Sequence, residues 1–439
     1  MRIVCAAVAA WVLLCGMLPG AEPPRSLRRQ ALALKAKGDA AGALALLEQA
    51  SASEPRSAEL RDEIGFLQAV LGRQTQGIEQ FREAIRLNPD YAPARFHLGV
   101  ALWLRGQRED AVPALRVSVR LDPANAEYRF RLGSMLYETG DDAGAMREAH
   151  TAAKIAPARA DVWNLGGMAA QRAGDLPVAT ADFGHAVKLD PANSAYRNGL
   201  GFALMDLGMA PEALEQFRQI LKREPDNRTA RINIGYTYLH VGDYDRALEQ
   251  FRPLASQFPE DPIVHYDVGL ALKQKDRLDE AKRSFTEALR LDPELVEGYY
   301  TLGITCWQQG DPACTAQAMR NAIARRPGYA EAHYMLGTAL RQIGDPDAAA
   351  SALQEAIRLN PETPGPFNAL AQIRQLQGNR QAAQELFAEA AAVKRKLEAS
   401  QARRLRTMAT SPQTSPRTSP RTAPQTSPRT SGELPPMRR

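Results

Sequence analysis

The sequence predicts an all-α protein made of about eleven stacked αα-hairpins, and three observations carry that prediction. Gly65, Gly99, Gly133, Gly167, Gly201, Gly235, Gly269, Gly303 and Gly337 stand 34 residues apart, with Ala31 and Ala371 in the flanking places. A second glycine follows seven residues later in ten of the eleven periods, Asp276 taking its place in one. A proline closes each period from Pro55 to Pro361. A fixed period of this length, with one internal turn and one terminal break, is the mark of a repeat architecture.

The chain opens with Arg2, an apolar run from Ile3 to Leu18, and then Pro19, Gly20 and Ala21. A charged start, an apolar stretch and a small-residue exit is the layout of a secretory signal peptide over residues 1–21. An uncleaved N-terminal anchor is the alternative, although the run is shorter than the ~20 residues that span a bilayer. Either way the chain is expected to be exported, to the periplasm or cell surface of a bacterium. The mature chain then keeps two of its four cysteines, Cys306 and Cys314.

Residues 22–397 follow as the repeat array. Within a period the apolar spacing is helical: Ile234, Tyr238 and Val241 fall three or four apart before the turn at Gly242, as do Ala247, Phe251 and Leu254 after it. Each stretch gives about three turns, too short to stand alone, so each pair must bury its faces against itself and its neighbours. Gly235 and Ala247 are expected to face each other where the two helices approach. Asp39, Asp141, Asp175, Asp243, Asp311 and Asp345 follow the turn position as helix N-caps, with Pro312 and Pro346 at the first helical position. Ten repeats over 58–397 are clear; the unit over 24–57, with Ala31 for glycine and Leu47 for the later phenylalanine, is a divergent N-terminal one.

These residues resemble the tetratricopeptide repeat family, whose pattern is W-x2-L-G-x2-Y, then A-x3-F, then P. Leu98-Gly99, Leu132-Gly133, Leu200-Gly201, Leu302-Gly303 and Leu336-Gly337 match the first pair. Alanines from Ala111 to Ala383 and phenylalanines at Phe81, Phe183, Phe217, Phe251, Phe285 and Phe387 match the second. The opening tryptophan appears only at Trp163. The resemblance covers 374 of 439 residues. It implies a right-handed superhelix whose first helices line a concave groove, and a scaffold that binds protein or peptide partners.

In that family the groove positions lie three before, one after and four after the repeat glycine. They hold Phe66, Phe96, Trp103, Phe130, Tyr137, Phe202, Tyr236, Tyr266, Tyr300, Trp307 and Tyr334. Tyr266, Tyr300 and Tyr334 recur every 34 residues beside Trp307, and Tyr and Trp are frequent interface anchors. Two readings stand: these rings bind a partner, or they fill gaps between adjacent first helices. The lysine-asparagine clamp that grips chaperone tails in this family is missing, since no lysine stands three residues before a repeat glycine.

In the last unit Arg395 replaces the terminal proline, so the second helix is expected to run on over 398–408 as a capping extension. Residues 409–439 are Ser/Thr-Pro-Arg-rich and expected to be disordered. From Glu398 onward eight arginines oppose Glu398 and Glu433, a net of +6 within a whole-chain charge of +5. The basicity therefore belongs to the tail, and weak contact with an anionic wall polymer or lipid is a use for it. Nucleic acid is not expected, because no aromatic residues interleave the charge for base stacking.

Cys306 and Cys314 flank the Gly310 turn at four residues on either side. A disulfide and a pair of small buried thiols are both open. The spacing is similar to that of cysteine-rich helical repeats of exported bacterial proteins, where such pairs staple the two helices. No metal site, cofactor site or catalytic motif stands out, and six histidines are scattered over six repeats. A non-catalytic interaction scaffold is the expected function. An envelope adaptor tethered by its tail, or an accessory subunit of a separately encoded enzyme, are the alternatives.

Overall fold

The computed structural model describes residues 24–410, the side chains of 404–410 excepted. The predicted leader and the tail from residue 411 lie outside the described residues. Among the described residues there are 22 helices and no strand, paired into eleven hairpins from Pro24–Ala36 with Ala40–Ser53 to Pro364–Leu376 with Arg380–Thr410. They fall into two units. Residues up to Pro225 hold six hairpins, and residues from Asp226 hold five.

The hairpin turn shows why the second glycine is there. After the first helix of the unit around Gly235, the Asp243 N–H donates to the Tyr238 carbonyl and the Gly242 N–H to that of Leu239. This closing motif requires a left-handed residue, and Gly242 supplies it at φ +80°. The ten turn glycines all lie between +75° and +92°. Asp276 adopts the same conformation at φ +59°, the sole non-glycine to do so among the described residues. Replacing Asp276 with Gly should therefore raise the denaturation midpoint, by about 0.5 to 1 kcal/mol of stability, because a left-handed β-carbon is strained. A destabilised Asp276→Gly protein in urea titration would contradict this.

All six aspartates expected as caps accept from the backbone N–H three residues on, for example Asp243 from Arg246 and Asp311 from Cys314. Pro312 and Pro346 open their helices as expected.

The repeat glycine meets a second residue of its hairpin besides the expected alanine. A β-carbon on Gly235 would lie 2.4 Å from the Phe251 ring, and the same holds for Gly201 with Phe217 and Gly269 with Phe285 at 2.4 and 2.5 Å. The glycine thus makes room for the phenylalanine of its own hairpin, four residues beyond the alanine. The alanine is fully buried against the same spot: β-carbons on Gly99, Gly133 and Gly337 would lie 3.1, 3.3 and 3.0 Å from the carbonyl oxygens of Ala111, Ala145 and Ala349. Phe81, Phe183, Phe217, Phe251 and Phe285 are at most 1% exposed. Leu115, Met319 and Leu353 hold the same place in other repeats. In the first unit Ala31 and Leu47 are buried likewise.

The last second helix runs unbroken from Arg380 to Thr410. Every side chain from Lys394 to Arg403 is exposed, so this stretch extends the helix into solvent instead of being buried against the stack.

Candidate partner-binding surface

Consecutive first helices are stitched together at the positions that line the predicted groove. In the N-terminal unit Arg28 donates to Glu63 at 2.8 Å and Asp62 contacts His97 Nδ1 at 2.8 Å. In the C-terminal unit the Tyr236 hydroxyl donates to Asp267 Oδ1 at 2.5 Å, and the Tyr266 and Thr301 hydroxyls meet at 3.1 Å. Residues of this row therefore divide between holding the helices together and facing outward.

The aromatic candidates sort accordingly. In the N-terminal unit Phe96 stacks on Tyr128 with centroids 4.5 Å apart, and Phe202 meets Phe217 edge-on at 5.7 Å. Cations lie over the others: Lys35 over Phe66 at 4.5 Å, Arg108 over Trp103 at 5.2 Å, Arg159 over Phe130 at 4.8 Å, and Arg172 over Tyr137 at 3.7 Å. In the C-terminal unit Tyr236 meets Phe251 edge-on, and its hydroxyl is spent on Asp267. Tyr266 is only 6% exposed, tilted against Phe285, with its hydroxyl on Thr301. Its ring fills the space between consecutive first helices and offers no free face, which removes it from the predicted surface row. Tyr300, Trp307 and Tyr334 stay half-buried. Tyr300 packs on Tyr329 at 4.9 Å, and Trp307 and Tyr334 rest on the cluster containing Leu340 and Leu353.

Two charged residues of the helix Pro262–Gln274 sit in buried surroundings, Asp267 and Lys273. Asp267 is fully buried, and its Oδ2 has no hydrogen-bond partner. Burial pushes its carboxyl up to about 7, the Tyr236 hydrogen bond working in the opposite direction. Burial also pushes up both tyrosines, Tyr266 to about 12. Lys273 is half-buried and its ammonium makes no hydrogen bond or ion pair with any described residue; burial alone pulls its amine down. No sequence signal separates these two from the many solvated acids and lysines of the chain, because their surroundings are supplied by neighbouring repeats.

The sulfurs of Cys306 and Cys314 are 1.99 Å apart, joining the two helices of their hairpin with Cα atoms 5.8 Å apart. Cys306 is fully buried. Among the described residues no group of His, Cys, Asp or Glu side chains is arranged to hold a metal ion, and no helix is long and apolar enough to cross a membrane.

Two models of the tetratricopeptide repeat family match this sequence, one over residues 145–293 and the other over 28–92, 67–125, 105–160 and 300–364. The chain belongs to the tetratricopeptide repeat family. Tetratricopeptide repeats are interaction modules, and the fold is typically a non-catalytic scaffold. Solved structures similar to this tetratricopeptide chain include yeast Tom70, at 14% identity and a TM-score of 0.46, covering 85% of this chain and 96% of that one. Another is YrrB, described as a repeat protein of this family with an unusual peptide-binding site, at 17% identity and a TM-score of 0.40, covering 42% and 95%. A double mutant of MamA from RS-1 is similar at 23% identity and a TM-score of 0.38, covering 39% and 97%. No curated protein matches the chain.

Proposed function

We propose that this protein is an exported, non-catalytic scaffold that captures a peptide segment of another protein along its first helices. The observation that carries this reading is the set of half-buried rings Tyr300, Trp307 and Tyr334, which stand on two successive first helices of the C-terminal unit, Val296–Gln308 and Ala330–Ile343. Each keeps part of its face available while its position is fixed by packing, the condition under which an aromatic residue contributes most to binding. Replacing Tyr300 and Trp307 together with Ala should weaken partner capture at least tenfold while leaving the melting temperature within a few degrees of the parent. A large loss of stability with capture intact would show that the rings serve only as core.

Export is supported by the leader-like residues 1–21. Mass measurement of the protein from its native cell should give a chain beginning at Glu22; an intact Met1 would favour the anchor. In that oxidising setting Cys306 and Cys314 are bonded, closing a short loop at a gain of about 2 to 3 kcal/mol on the chain-entropy account. Thiol titration of the denatured, unreduced mature protein should find no free thiol. Two free thiols would remove the staple.

A further inference from the structure

Four first helices of the C-terminal unit, between Arg228 and Ile343, carry no aspartate or glutamate at the positions one, four and five after the repeat glycine. The N-terminal unit does carry acids in this row, at Glu138 and Asp206. Three basic groups occupy the acid-free stretch: His240, Lys273 and Arg341. Lys273 and Arg341 hold the same position two repeats apart, and Trp307 holds it in the repeat between them.

Among the described residues neither cation meets a carboxylate. The Lys273 ammonium has no partner among them, and Arg341 donates to the neutral amide of Gln372. A lysine in this helix region does find a carboxylate when one is in reach: Lys275, two residues on, pairs with Asp245. The buried carboxyl of the same helix, Asp267, is held by Tyr236 instead. Of the acids in the neighbouring turns, Asp243, Asp311 and Asp345 are committed to capping and Asp279 to Gln309, while Asp276, at the turn that ends the helix of Lys273, is exposed and forms no ion pair with it. A half-buried ammonium without a counter-charge is unfavourable in the free protein, and an incoming anion relieves that.

We infer that this surface takes an acidic peptide, one carboxylate meeting Lys273, a second meeting Arg341, and an apolar side chain between them covering Trp307. The inference rests on the proposed use of the first-helix surface for peptide capture. Packed helices lie about 8 to 10 Å apart, which places the two cations about 16 to 20 Å apart along the stack. An extended chain spans that distance with about five or six residues. The partner motif is thus two Asp or Glu residues about five or six positions apart with an aliphatic or aromatic residue between. The two cations differ in recognition: arginine can grip a carboxylate with two parallel bonds, whereas lysine acts as a point charge.

Selection of a random displayed twelve-residue peptide library on the full chain tests this. The bound pool should be enriched in Asp and Glu on both sides of an apolar residue. Individual selected peptides should bind Lys273→Gln/Arg341→Gln protein at least tenfold more weakly, and Trp307→Ala protein more weakly as well. A bound pool without acidic excess, or one whose binding survives the double substitution, overturns the inference, and loss at Trp307→Ala would then leave peptide capture itself standing. Selected peptides indifferent to Trp307→Ala, or no selected peptide at all, would overturn both. Circular dichroism melts of each variant verify that it is folded.

Discussion

Replacing Phe251 with Ala should destabilise the C-terminal unit by about 3 to 5 kcal/mol, the range for a fully buried phenylalanine whose cavity cannot close. The ring has no exposed surface, sits 2.4 Å from where a β-carbon of Gly235 would be, and supports Tyr236 edge-on at 5.7 Å. Because repeats are stabilised by their neighbours, the loss should spread to adjoining hairpins and lower the urea midpoint of the whole unit. Gly235→Ala should cost about 1 to 3 kcal/mol by overpacking the same spot. Combined with Phe251→Leu, which frees space there, Gly235→Ala should cost less than it does alone, since residues in contact are not additive. A loss below about 1 kcal/mol for Phe251→Ala would mean that the glycine–phenylalanine fit does not hold the hairpin together.

The second large effect is Asp267→Asn, and it depends on pH. The folded carboxyl titrates near 7 against an ordinary 3.8, raised chiefly by burial, with Asp261 adding to the rise and Tyr236 and Arg228 opposing it. Between about pH 4 and pH 7 the folded protein therefore binds a proton that the unfolded chain has lost, so stability falls as pH rises through that window. Above pH 7 the buried carboxylate is charged, and its Oδ2 has no donor. A side-chain amide in its place would accept from Tyr236 without carrying that charge. Asp267→Asn should thus stabilise the protein at pH 8 by about 1 to 3 kcal/mol and have little effect near pH 4. Equal effects at both pH values, or destabilisation at pH 8, would show that the carboxylate is compensated in the folded state.

The fold was legible because the repeat writes its turn and its contact site in residues with a conformational or steric reason to be small. Gly242 marks a left-handed turn and Gly235 a ring contact, and both recur every 34 residues, Asp276 excepted at the turn. What stood opposite Gly235 was less legible: sequence places Ala247 and Phe251 on the same helix face, and only packing decides which fills the gap. The surface was legible in part. Tyr266, Tyr300 and Tyr334 are equivalent in sequence, yet Tyr266 is buried, with its hydroxyl against that of Thr301 on the next first helix, while the other two keep exposed faces. Asp267 and Lys273 were not legible at all. Whether a charge is paired depends on residues 31 or 35 positions away on a neighbouring helix, as with Tyr236 and Asp267, and periodicity alone does not rank those pairs.

Under the proposed function, partners are held on the first-helix surface and not on the second helices. A photo-activated benzoylphenylalanine placed singly at Trp307 or at Arg320, an exposed residue of a second helix, in the full chain in its native cell tests it most directly. After irradiation and mass spectrometry, cross-links to one recurrent acidic segment from position 307 and none from 320 are the expected result. Cross-links from 320 with none from 307 would contradict it.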